Sequence, residues 1–323
     1  MEGYRRKGKK RWLACGYGAV NQDDIMVFWL EKGNLQVTAG IRQGDAPSFA
    51  CVSADKMLYT VSERSEGAYI YRYEIEGDSP VLQKRMKVPG DGLCHLHAGQ
   101  TALFGSCYLS GHFFAVDYAL TKILWLYQPP KSSAIPHAHW IETTERLLYA
   151  ADLGRDIVRR FELKYGIPQK ELSPLPAVSG AGPRQPLCLA GGGLAVANEL
   201  NSTISFYRDT YKNEKPLIRP ASANTQQPNY PGGACQTSDG TIYLCNRGAN
   251  TAAAFSTGGK PLGEWAVGDW PRGIAADEEW VLAACQRSNE VLCLRRYEQE
   301  LQREVRMELA GASCVISLPF FLP

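Results

Sequence analysis

Apolar and polar residues alternate at a period of two through most of this chain, and no long stretch carries the 3.6-residue period of an amphipathic helix. Seven stretches repeat one design. The clearest are LLYAADLGRDIVRRF (147–161), GGLAVANELNSTISFY (192–207) and TIYLCNRGANTAAAF (241–255). Each is a short apolar strand, a small or polar turn, and a second strand ending near an aromatic. Looser copies are WLACGYGAVNQDDIMVFW, MLYTVSERSEGAYIYRY, TALFGSCYLSGHFFAVD and WVLAACQRSNEVLCL.

The first strands of six units end at Ser62, Cys107, Asp152, Asn198, Asn246 and Cys285, spaced by 45, 45, 46, 48 and 39 residues. An earlier copy turns near Cys15 to Tyr17. A period of about 40–50 residues with several strands per unit is that of a β-propeller blade. A further, innermost strand precedes each unit, with entrances at Pro47, Cys94, Pro136, Pro183, Pro231 and Pro271. Proline is tolerated at a strand entrance because no ladder donor is yet required. The predicted fold is therefore all-β, a seven-bladed propeller of four-stranded antiparallel blades, with residues 1–323 forming a single domain. The tail Ala312–Leu318 reads as a strand that completes blade 1, so that N-terminal and C-terminal strands pair and close the ring.

Composition narrows the classes. A chain of 323 residues with 45% apolar and 21% charged residues supports one packed body. The net charge of +2 implies no strongly charged partner, and the basic–aromatic interleaving of a nucleic-acid surface is absent. The basic residues Arg5, Arg6, Lys7, Lys9, Lys10 and Arg11 read as a solvated, frayed end. The apolar run Trp12–Cys15 is too short for a secretory signal, and no stretch has the length of a membrane-spanning helix. The ten cysteines show no C-x-x-C pair and sit largely in strand centres, as free thiols would. These features lead us to expect a cytoplasmic protein with no nucleic-acid or membrane partner, as a monomer or weak homo-oligomer.

The candidate chemistry lies at two repeated positions. One is the entrance of the inner strand, occupied by His137 (or His139) in Pro-His-Ala-His, Arg184 in Gly-Pro-Arg, and Arg272 in Trp-Pro-Arg. The other lies at the end of the next strand, occupied by Glu63, Glu199 in Ala-Asn-Glu-Leu, Arg247 in Asn-Arg-Gly, and Gln286. The alignment converges His137, Arg184, Glu199 and Arg247 on one mouth of the ring, with His139, Arg272 and Glu63 as further substrate-binding candidates. Guanidiniums hold carboxylate or phosphate, and a Glu/His pair offers acid–base chemistry. The same residues would also serve as inter-blade braces, and Asp152 as a turn cap. His95, His97 and His112 are too dispersed over the blades for a metal site, and no acidic cage for calcium can be assembled, so neither a metal nor a cofactor is expected. Gly191-Gly192-Gly193 precedes no helix or lysine of a phosphate loop, and no Gly-x-Ser-x-Gly elbow is present.

In that order and spacing, Pro-His-Ala-His, Ala-Asp-Leu-Gly, Gly-Pro-Arg, Ala-Asn-Glu-Leu and Asn-Arg-Gly resemble the lactonase family of seven-bladed propellers, from about residue 45 to 295. That family includes 6-phosphogluconolactonases and carboxymuconate cycloisomerases. The resemblance implies an active site at His137 (or His139), Arg184, Glu199 and Arg247. It implies hydrolysis of a sugar lactone, with or without a phosphate, the arginines holding the anion, Glu199 activating water and His137 protonating the leaving alkoxide. Cycloisomerisation of a muconate-type dicarboxylate and a non-catalytic ligand- or protein-binding propeller are the alternatives. The chain departs from the family pattern at Gln185, where histidine commonly follows Gly-Pro-Arg, and at Cys107 and Cys285, where asparagine is usual.

Overall fold

The computed structural model describes residues 10–212, 214–224, 226–297 and 300–318. They form seven four-stranded antiparallel sheets in a ring, as the repeat predicts. From the channel outwards, blade 4 runs Ala138–Thr143, Leu147–Asp152, Ile157–Lys164 and Ile167–Leu172, and blade 5 runs Pro183–Cys188, Leu194–Asn198, Thr203–Tyr207 and Leu217–Pro220. In blade 1 the innermost strand is Ala312–Leu318, paired antiparallel with Lys10–Gly16. Inner strands also begin at Ala50, Leu93, Tyr230 and Pro271. Two expected entrances need correction: Pro47 and Pro136 lie before their strands, which start at Ala50 and Ala138.

The period-two pattern becomes packing in a direct way. Successive residues of a strand point to opposite faces, and each blade is sandwiched between two others. In blade 1, Trp12 and Ala14 pack against blade 7 beside Trp280 and Leu282. Leu13 and Cys15 pack against blade 2 beside Leu58 and Tyr71. Seven apolar clusters result, one at each blade interface. All ten cysteines are free thiols, and all are buried except Cys51, Cys188 and Cys235, which are partly exposed.

The expected frayed N-terminus is corrected at two positions. Arg5, Arg6, Lys7 and Lys9 lie outside the described residues, but Lys10 and Arg11 are strand residues. Lys10 pairs with Asp277 and Glu278, and buried Arg11 pairs with Asp78, all at 2.9 Å. Among the described residues no helix is long and apolar enough to cross a membrane.

Candidate active site

Six inner strands carry one residue more than the strand beside them, all at the same level. The bulges fall at Cys94, His139, Arg184, Arg272 and Ser313, and in blade 6 at Gly232 and Gly233, which together face the single residue Cys245. A bulge of this kind bends its strand and re-aims a side chain. With Ser48 of blade 2, the residues Cys94, His139, Arg184, Gly233, Arg272 and Ser313 line a cavity of about 320 Å³. Every blade contributes to its border, so the cavity lies on the axis of the ring.

Two carboxylate–guanidinium groups flank this cavity. Arg184 Nη1 and Arg247 Nη2 both donate to Glu199 Oε2 at 2.7 Å. Arg247 is held further by the Tyr230 and Pro231 carbonyls, at 3.0 and 3.1 Å. Burial works against the Glu199 carboxylate, but the two arginines outweigh it and hold its pKa below the usual range. Burial and the Arg184 charge pull Arg247 down to about 10, so it stays protonated at neutral pH.

The other group is Glu63 and Arg272, from blades 2 and 7. Arg272 Nη2 lies 3.2 Å from each Glu63 oxygen, Tyr17 donates to Glu63 at 2.6 Å, and Ser48 donates to the same carboxylate. Burial lowers the Arg272 pKa, but Glu63 more than offsets this and the net shift is upward. Cys94 also borders the cavity, but burial pushes its thiol up to about 12 and it bonds strand carbonyls, so it is no thiolate nucleophile.

The two candidate histidines occupy different places. His139 is 5% exposed and lines the cavity, and its Nδ1 has no hydrogen-bond partner. Burial first, then Arg184, Arg272 and Arg247, drive its pKa well below the usual value, so the imidazole is neutral. His137 lies off the cavity. Its ring stacks on Tyr108 at 4.4 Å and its Nδ1 lies 3.2 Å from the Tyr108 carbonyl. Asp152 accepts from the His137 and Arg155 amides at 2.9 and 3.2 Å, the turn-capping role. The position equivalent to Arg184 is therefore His139, because Ala138 rather than Pro136 matches Pro183 in the blade register.

Arg184 and Arg272 thus line the cavity themselves. Glu199 and Arg247 reach it through Arg184, and Glu63 reaches it through Arg272. Gln185 is a structural clamp between blades 5 and 6. Its amide donates to the Ala234 carbonyl and accepts from the Ala234 amide, both at 2.8 Å. Sequence reasoning missed Tyr17, Ser48, Cys94, Tyr108 and Ser313. Cys94 had a signal, standing 45 residues before His139, which stands 45 before Arg184. Among the described residues no three His, Cys, Asp or Glu side chains converge as metal ligands.

Comparison with known proteins identifies the family and the fold. The family described as lactonase, seven-bladed β-propeller, matches residues 12–316. A 6-phosphogluconolactonase of Sodalis glossinidius is 28% identical over 170 residues, which cover 48% of this chain and 51% of the relative. The chain thus spans about half the length of that curated relative in the match. A Bacteroides fragilis chain solved as a candidate 6-phosphogluconolactonase superposes with a TM-score of 0.85 at 20% identity, covering 98% of this chain and all of that one. A periplasmic gluconolactonase of Pseudomonas aeruginosa gives 0.84 at 18% identity, covering 97% and 99%. At such identities the structures establish the shared fold.

Proposed function

The chain belongs to the lactonase family of seven-bladed β-propellers, and from that membership we propose that it hydrolyses a lactone bearing an anionic group, opening the ring to the hydroxy acid. The observation that carries this reading is the arrangement of charge. Three guanidiniums, Arg184, Arg247 and Arg272, stand against two carboxylates, Glu199 and Glu63, around a cavity that also presents a neutral, unpartnered imidazole. One positive charge is left over for a substrate anion.

In this reading the unspent N–H groups of Arg184 take the lactone carbonyl oxygen and stabilise the oxyanion formed when water attacks the carbonyl carbon. His139 Nδ1 takes the proton of that water. The tetrahedral intermediate collapses with cleavage of the ring C–O bond, and the imidazolium returns the proton to the leaving alkoxide. The arginines that keep His139 neutral in the free protein are partly offset by a bound anion, so the imidazole becomes more basic once substrate arrives. Glu199, carrying two guanidiniums on one oxygen, acts as their positioning counter-ion rather than as the base. His137 supports Tyr108, whose phenol feels the charges of Glu199, Arg184 and Arg247.

The name of the curated relative makes 6-phosphogluconolactone the first substrate to test, with glucono-δ-lactone beside it. Acid release by the purified protein should exceed the buffer rate. His139→Gln should lower it by about 100-fold or more, with the circular dichroism of the blades retained. A wild-type rate equal to buffer on both lactones overturns the reading.

A further inference from the structure

The repeat that builds the blades also sets a ring of side chains around the mouth of the channel. In six blades the residue after the second strand donates its amide to the carbonyl of the residue leading into the inner strand, at 2.8 to 3.1 Å. In five of them that acceptor has a left-handed φ: 62° at Gly311, 52° at Ala46, 67° at Gly92, 59° at Gly182 and 57° at Trp270. The corresponding donors are Tyr17, Glu63, Tyr108, Glu199 and Gln286. One backbone corner thus recurs in blades 1, 2, 3, 5 and 7, and the donor side chains leave it in corresponding directions.

That direction is toward the axis. From this corner Glu199 reaches Arg184, and Glu63 reaches Arg272 of blade 7. In blade 6 Arg247 takes the same place, opposite Tyr230 in the register, and meets Glu199. Tyr17 donates to Glu63 at 2.6 Å, and Tyr108 stacks on His137 at 4.4 Å. Gln286 spends only its backbone amide, on the Trp270 carbonyl at 3.0 Å. Its carboxamide is partly exposed and has no hydrogen-bond partner among the described residues. In the order of the ring it stands between Arg247 of blade 6 and Tyr17 of blade 1.

We propose that Gln286 is a specificity-determining residue that binds a hydroxyl group of a polyhydroxylated lactone, away from the carbonyl held by Arg184. A carboxamide both donates and accepts, as a hydroxyl does, so each satisfies the other. A lactone without hydroxyls leaves the carboxamide unpaired in the closed complex, which disfavours it. The inference rests on the lactonase reading and gives that site a contact beyond those of the arginines and His139.

The test compares kcat/KM on glucono-δ-lactone with that on δ-valerolactone, the same ring without hydroxyls. Gln286→Leu is close in size, keeps the backbone amide and lacks the carboxamide. The ratio should fall by about tenfold, as for one lost hydrogen bond, with the change in KM. Gln286→Asn, which keeps a carboxamide, should recover part of it. Titration calorimetry with the products, gluconate and 5-hydroxyvalerate, reads the same preference without turnover. A ratio unchanged in Gln286→Leu overturns the proposal and leaves the lactonase reading intact. If the wild type opens neither lactone, that reading fails and calorimetry alone decides. A preference for gluconate that Gln286→Leu abolishes then supports the contact; no preference, or one that survives the substitution, overturns it.

Discussion

Arg184 and Arg247 place their guanidinium groups on a single atom, Glu199 Oε2, at 2.7 Å each. Two cations this close repel one another unless the shared carboxylate is charged. The pair therefore exists because of Glu199, and Glu199 stays ionised because of the pair.

Glu199→Gln keeps the shape and removes the charge. We expect lactone hydrolysis to fall by about 100-fold or more, as for loss of an oriented oxyanion partner. Stability should fall by about 2 kcal/mol, less than for a fully buried pair because Glu199 is partly exposed. Added sulfate should raise the Tm of the variant more than that of the wild type, since an anion can replace the missing charge. Equal salt responses would show that the arginines do not depend on Glu199.

The blades were legible because alternation and a 45-residue step act over many residues at once. The ring around the cavity was harder to read, because a bulge interrupts the alternation that locates strands. Pro136 looks like the entrance proline of blade 4, yet the strand opens two residues later, and this moves the channel position from His137 to His139. The equal steps from Cys94 to His139 to Arg184 held that information without any help from proline. The pairing of Glu63 with Arg272 had no such signal: it joins residues 209 apart in sequence, brought together by closure of the ring.

Acid should destabilise the fold through histidines held neutral. Burial lowers the folded pKa values of His95, His97 and His139, that of His97 to about 4. The unfolded imidazole takes up its proton near pH 6.5. Between pH 6.5 and 4 the unfolded chain therefore binds the His97 proton and the folded chain does not, so stability is present above this window and lost as pH falls through it. His97 alone accounts for on the order of 3 kcal/mol across the window. Urea unfolding at pH 7 and pH 5 should show the loss, and His97→Gln should reduce the slope. A stability independent of pH over this range would contradict the neutral assignments.

Gly154 sits where no larger residue fits. A Cβ there would lie 2.2 Å from the Ile135 carbonyl oxygen and 3.0 Å from the His137 amide nitrogen. Gly154→Ala should push back the segment that carries His137 and loosen its stack on Tyr108, costing about 1–3 kcal/mol. Denaturant unfolding measures the cost, and altered Tyr108 ring resonances would report the displaced stack. Wild-type stability would mean that the segment yields freely.

Gln185 joins the scaffold to the site. Its amide satisfies both the donor and the acceptor of Ala234, and the neighbouring Gly232 and Gly233 lie so close to blade 7 that a Cβ on either would be 3.1 Å from the Arg272 carbonyl oxygen. Gln185→Leu preserves bulk but leaves two buried backbone groups without partners, at a cost of about 1–3 kcal/mol for each group left unsatisfied. The Ala234 amide should lose hydrogen-exchange protection ahead of the rest of blade 6. Because the strand supporting Arg272 is packed against those glycines, KM for an anionic lactone should rise more than kcat falls. Equal loss of protection across all seven blades would instead assign Gln185 to global stability, with no particular hold on the wall of the cavity.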